Sequence, residues 1–177
     1  MSQGRIDNIA RFYIERFATT AAHLRRVLTR RAERARRVHG GDAAEMAGWI
    51  NQVVERLVRL GLVNDARYAA DRAASLRRLG RGPGKIKALL AAKGVPRALI
   101  DKVLAETAET ASGGYASLSA AIGYAKRRRF GAFGKAQPTD KQERLKKQTR
   151  ELAALGRAGF SYAIARRALD GDEDAED

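Results

Sequence analysis

The chain repeats itself. KALLAAKGVPRALIDKVL, which ends at Leu104, lies over ELAALGRAGFSYAIARRAL, which ends at Leu169, with one constant offset of 65 residues and no gap: Leu90 falls on Leu155, Gly94 on Gly159, Val95 on Phe160, Leu99 on Ile164, Val103 on Ala168 and Leu104 on Leu169. The pattern extends backward into WINQVVERLV at an offset of 46, which places Trp49 on Val95, Val53 on Leu99, Val54 on Ile100, Leu57 on Val103 and Val58 on Leu104. A helix, a glycine corner and a second helix that recur in this way imply small units that stack on their neighbours to complete a core. Strand signals are almost absent and apolar residues recur at helical spacing throughout. The predicted fold is therefore all-α: three tandem three-helix bundles in an elongated, curved molecule. The first covers residues 1–60, with an extended basic second helix and a loop insertion at 32–48. The second covers 61–110, the third 115–169, and residues 170–177 are an acidic tail expected to be disordered.

One corner invites a different reading. LGRGPGKIKALLAAKG, Leu79 to Gly94, has the glycines and lysine of a phosphate-binding loop. A nucleotide-binding loop needs a glycine five positions before its Gly-Lys pair and a Ser or Thr after the lysine. Leu79 and Ile86 occupy those positions, and the preceding DARYAADRAASLRRLG reads as a helix, not a buried strand. The stretch is predicted to be a tight interhelical turn, with Gly80 ending one helix and Pro83 opening the next. Asp65 and Ser161 fall where helix caps are expected.

Composition narrows function mainly by exclusion. The 177 residues contain no cysteine and two histidines, His23 and His39. Disulfides, thiolate metal sites and cysteine nucleophiles are excluded, and no catalytic constellation of carboxylates is visible. Both histidines read as solvated. Asp65 and Asp71 are accounted for by neighbours such as Arg67 and Arg72 on the same helix. No apolar run is long enough to span a bilayer, and the N-terminus lacks a signal-peptide core, so a cytoplasmic protein without cofactor or metal is expected.

Charge is the strongest pointer to a partner. The net charge is +15, and the acidic DGDEDAED at 170–177 leaves residues 1–169 with 35 basic against 14 acidic side chains. Such a field concentrates polyanions. Three patches carry it. Arg26, Arg30, Arg34 and Arg37 recur at three and four residues on one helix face, widened by Arg25, Arg31 and Arg36. Like charges at that spacing destabilise an isolated helix, so either a polyanion compensates them or the face is solvated. Arg77, Arg78 and Arg81, with Lys85, Lys87 and Lys93 on the next helix, form a second patch, where free backbone N–H groups at the helix start would add to anion binding. Lys126, Arg127, Arg128 and Arg129 form a third. Phe130 and Phe133 beside it either stack on bases or belong to the core.

The segment GLVNDARYAADRAASLRRLGRGPGKIKALLAAKGVPRALIDKVL closely resembles the central repeat of the RecX family of bacterial regulators of the RecA recombinase. Asp65, Ala66, Arg67, Tyr68 and Ala69 match the opening of that repeat, Gly82 and Pro83 its turn, and Leu90, Lys93 and Gly94 the end of its second helix. Arg157 to Tyr162, RAGFSY, resembles the close of the family's third repeat. Asn64 stands where an acid is common, and the acidic tail is additional to the pattern. The resemblance implies a non-enzymatic protein, without cofactor, that binds RecA and its filament on single-stranded DNA; a monomer is expected. It would thereby restrain recombination, strand exchange and the SOS coprotease step, with some DNA contact of its own. Composition taken alone also allows a free-standing basic nucleic-acid-binding protein, architectural or RNA-binding, that acts without RecA.

Overall fold

Glycine corners and short polar caps divide the chain into helices in the computed structural model, which describes residues 2–109, 114–134 and 138–171. In chain order these are α1 (Gln3–Arg16), α2 (Ala21–His39), α3 (Ala43–Arg59), α4 (Asp65–Arg78), α5 (Pro83–Ala92), α6 (Arg97–Glu109), α7 (Gly114–Arg128), a 3-10 turn (Gly131–Phe133), α8 (Lys141–Ala158) and α9 (Tyr162–Asp170). Among the described residues there is no strand. The acidic tail beyond Gly171 lies outside the described residues.

The repeated corners share one hydrogen-bond pattern. After α5, Gly94 N donates to Ala91 O and Val95 N to Leu90 O; after α8, Gly159 N donates to Gly156 O and Phe160 N to Leu155 O. These are the paired bonds that close a helix through a left-handed residue, a conformation that favours glycine. Gly94 and Gly159 accordingly have φ of 82° and 97°. The α4 end closes in the same way through Gly80, with Arg81 N donating to Leu76 O.

Two expectations are corrected. Residues 32–48 are mostly helical: α2 runs to His39, α3 begins at Ala43, and only Gly40–Asp42 connect them. Gly40 and Gly41 both take positive φ, so the chain reverses within three residues. Asp42 then caps α3 by accepting from Ala44 N, and Met46 extends the buried stripe of Ile50, Val53, Val54 and Leu57 by another turn. Asp65 does not cap its own helix. Asn64 Oδ1 accepts from Arg67 N at 2.9 Å, while Asp65 Oδ1 accepts from Ala21 N at 2.8 Å and so caps α2. Ser161 caps α9, as expected, through Ile164 N.

The chain forms two compact units. One comprises the residues up to Asp71 together with Leu90–Leu99; the other comprises Arg72–Leu89 together with the described residues from Ile100 onward. Helices α4 to α6 thus contribute to both. In the first unit, Ile6 and Ala10 of α1, Leu24 and Leu28 of α2, and Ile50 and Val54 of α3 anchor one core. In the second, Leu118 and Ile122 of α7, Leu155 of α8, and Ala165 and Ala168 of α9 anchor another, closed by Phe160. Repeat-equivalent positions are buried alike: Val54, Ile100 and Ala165 form one set, and Leu57, Val103 and Ala168 another.

Candidate functional site

The corner glycines do more than end helices. Thr20, the N-cap of α2, donates its Oγ1 hydrogen to Lys93 O at 2.6 Å, and a Cβ on Gly94 would lie 2.5 Å from the Ala22 methyl. The α5–α6 corner is therefore seated on the first turn of α2. In the second unit, Gly82, the residue before α5, donates its N–H to Ala158 O at 2.9 Å, and Gly84 N donates to Gly159 O at 3.1 Å. A Cβ on Gly82 would meet Gly159 C and O at 2.5 Å. The α8–α9 corner is seated on the first turn of α5. Under the offset of 65, Lys93 and Gly94 correspond to Ala158 and Gly159, so these are two examples of one joint.

This answers the question raised by LGRGPGK. Its glycines allow backbone to meet backbone, and its N–H groups are engaged: Gly82 and Gly84 bond to the α8–α9 corner, and Lys85 N and Ile86 N bond to Gly82 O. The expectation of free N–H groups for an anion at this helix start is overturned. Any anion there must be held by side chains.

Both joints open into a cleft lined by cationic side chains. The first, about 790 Å³, includes His23, Arg25, Arg26, Arg30 and Lys93 in its lining, with Glu33 as its acid. Arg25 is oriented by Asn51 (Nε to Oδ1, 3.0 Å), and Arg26 by Ala92 O (2.9 Å). Lys93 Nζ lies 3.5 Å from His23 Nε2. Among the described residues, no carboxylate comes within ion-pair distance of Arg26, Arg30 or Lys93. Partial burial, followed by Lys93, Arg26 and Arg30, lowers the His23 pKa, so the ring is neutral at physiological pH. His23 is therefore half-buried in the lining of the cleft. The second cleft, about 500 Å³, is lined by Lys85 and Arg157 together with Gly84, Ala88, Gly159 and Phe160, and both of its cations are exposed.

The predicted patches are redistributed accordingly. Arg26 and Arg30 join Lys93 in the first cleft, whereas Arg34, with Arg31 and Arg5, lines a separate cleft of about 530 Å³. Arg37 is exposed near the end of α2. Lys85 belongs to the second cleft, while Lys87 is paired with Asp101 at 2.6 Å. Arg78 and Arg81 are exposed, and Arg77 is half-buried, with its pKa lowered by burial yet its charge retained. Lys126, Arg127, Arg128 and Arg129 are all exposed. The Arg127 guanidinium lies against Gly80, which brings this patch against the α4–α5 turn. Phe130 and Phe133 pack on the second core, so the core reading holds for both. Arg157 and His23 were not among the predicted site residues. The offset of 65 offered a signal for Arg157, since it places this residue on Ala92, but the partner across the joint is visible only in three dimensions.

Among the described residues no three His, Cys, Asp or Glu side chains converge as a metal site, and no helix is long and apolar enough to cross a membrane.

Comparison with known proteins places this geometry in context. A family model for the second three-helix domain of RecX matches residues 64–104. The regulatory protein RecX of Myxococcus xanthus (strain DK1622) is 40% identical over 165 residues, covering 93% of this chain and 84% of that one. The regulatory protein RecX of Halorhodospira halophila (strain DSM 244 / SL1) is 33% identical over 155 residues, covering 87% and 83%. The crystal structure of RecX from Lactobacillus salivarius superposes with a TM-score of 0.66 at 19% identity, over 96% of this chain and 95% of that chain. A second crystal structure of regulatory protein RecX gives 0.64 at 18% identity, over 95% and 71%. At those identities the two structures speak to the fold.

Proposed function

Since the chain belongs to the RecX family, we propose that it is a negative regulator of RecA, binding the recombinase and its nucleoprotein filament on single-stranded DNA and limiting recombination, strand exchange and SOS coprotease activity. Its role is regulatory and not enzymatic. The observation that carries the reading is the 40% identity to a regulatory protein RecX across 93% of the chain. The two cationic clefts give it physical support, since a filament wound on DNA presents phosphates and acidic side chains to a strongly basic partner. Arg26, Arg30, Lys85 and Lys93, which line the clefts, are the favoured contacts among the predicted patches. DNA contact adds to the interaction with RecA.

The decisive measurement is RecA ATPase on single-stranded DNA with this protein titrated in, alongside its binding to the same DNA without RecA. Inhibition is expected well below the concentration that coats bare DNA. Inhibition that begins only when the DNA is saturated refutes the RecA-specific reading and leaves a free-standing nucleic-acid binder.

A further inference from the structure

The two clefts match position by position. At the third residue of the helix, His23 in α2 stands where Lys85 stands in α5. One turn further on, Arg26 stands where Ala88 stands. On the seated corner, Ala92 stands where Arg157 stands. In the first cleft Arg26 donates to Ala92 O; the corresponding positions in the second, Ala88 and Arg157, both line it. Each joint has one arginine at this pair, supplied from opposite sides. In both, the positive charge comes from side chains, because the N–H groups around the helix start are engaged by Asp65 and Thr20 in α2 and by Gly159 and Gly82 in α5.

We propose that these clefts are two copies of one phosphate-binding joint, each holding a phosphodiester segment of single-stranded nucleic acid. A ligand that repeats its anion at every residue matches a receptor that repeats its cations. The first cleft has no Phe, Tyr or Trp in its lining, and Phe160 in the lining of the second is buried in the core, so both fit backbone contact, not base reading. The copies differ in one respect. Where the second has the aliphatic ammonium of Lys85, the first has the imidazole of His23, which titrates. Facing His23 are Lys93 from the end of α5, Arg26 and Arg30 from its own helix, and the Tyr13 ring of α1 at 6.4 Å, with Arg25 and Glu33 further along the cleft. A bound phosphate offsets the surrounding positive charge and favours the protonated ring, so the first cleft binds more tightly as pH falls. The lining of the second has no imidazole.

This deepens the DNA contact in the proposed function, and its test omits RecA so that the two can fail separately. Fluorescence anisotropy with a labelled oligothymidylate is recorded across a salt series at pH 8 and pH 5.5. The proteins are the native chain, Arg30→Ala/Lys93→Gln, Lys85→Gln/Arg157→Gln and His23→Gln; Arg26 is kept because it braces Ala92. On single strands each phosphate contact contributes about 0.7 to the slope of log K against log salt. Each double variant is expected to lower the slope by about 1.4, with unchanged melting temperature. Lowering pH should strengthen binding by the native chain and by Lys85→Gln/Arg157→Gln, and do so less for His23→Gln. An unchanged slope in either double variant removes that cleft as a phosphate site. Equal pH dependence in His23→Gln and the native chain removes the proton-sensitive distinction. Displacement of the oligonucleotide from the native chain by equimolar poly-glutamate, at the same salt, overturns the choice of phosphate over an acidic peptide. Loss of RecA inhibition with both slopes intact refutes the regulatory reading alone.

Discussion

Substituting Gly82 by Ala tests the joint directly. Gly82 does not have positive φ, so alanine is conformationally allowed and the penalty is steric. The new Cβ would lie 2.5 Å from Gly159 C and O and 2.8 Å from Phe160 N, all backbone atoms that cannot rotate away. Relief to an ordinary 3.4 Å contact requires the two corners to separate by about 0.9 Å. That would stretch the bonds from Gly82 N to Ala158 O and from Gly84 N to Gly159 O, now 2.9 and 3.1 Å, past useful length. At about 0.5–1.5 kcal/mol each, their loss costs roughly 1–3 kcal/mol. The stiffer unfolded chain returns about 0.4–1 kcal/mol. A net loss near 1–2 kcal/mol lowers the melting temperature by roughly 2–8 °C in a chain of this size. Gly156→Ala is the control: it lies inside α8 with nothing within 4 Å of its Cβ position, and should stabilise by about 0.5–1 kcal/mol. Thermal melting followed by circular dichroism compares the three proteins. If Gly82→Ala melts at or above the native chain, the close backbone contact is wrong.

Glu151 is 5% exposed and accepts from Gly131 N at 3.0 Å. Glu151→Ala orphans that N–H and should cost about 1–3 kcal/mol in chemical denaturation, while Glu151→Gln retains an acceptor and should cost less; equal losses would refute the bond's role. Arg129 closes α7 with φ of 56°, a conformation unfavourable for a residue with a side chain. Arg129→Gly should therefore be more stable than Arg129→Ala by about 1 kcal/mol, although both remove the same charge; the reverse order in a urea titration would refute the strain. His23 has a lowered pKa in the folded chain, chiefly through burial, so below about pH 6.5 the unfolded chain binds the proton more readily. Its contribution to stability is complete above that value and declines as pH falls through it toward the folded pKa. Urea midpoints at pH 7.5 and 5.5 should fall less for His23→Gln than for the native chain.

Much of the fold was legible because it is specified locally. Apolar spacing marks each helix, Gly94 and Gly159 mark the corners, and the offset between them reveals that one corner is built twice. The same local logic placed a loop insertion at 32–48, since paired glycines followed by Asp42 resemble a loop until Met46 is seen to extend a buried stripe. Charge was legible in amount but not in placement. Lys87 and Lys93 belong to the same predicted patch, yet one pairs with Asp101 and the other faces His23 and Arg26.

The sequence by itself determined the all-α architecture, the repeated corner and the polyanion-seeking charge, because helix periodicity, left-handed closure and net charge depend on neighbours along the chain. Tertiary structure alone decided that Asp65 caps α2, that Gly82 meets Gly159, and that Arg157 takes the place of Arg26 across the joint. Those contacts join residues many positions apart, and only packing selects which carbonyl, methyl or guanidinium fills the space a glycine leaves.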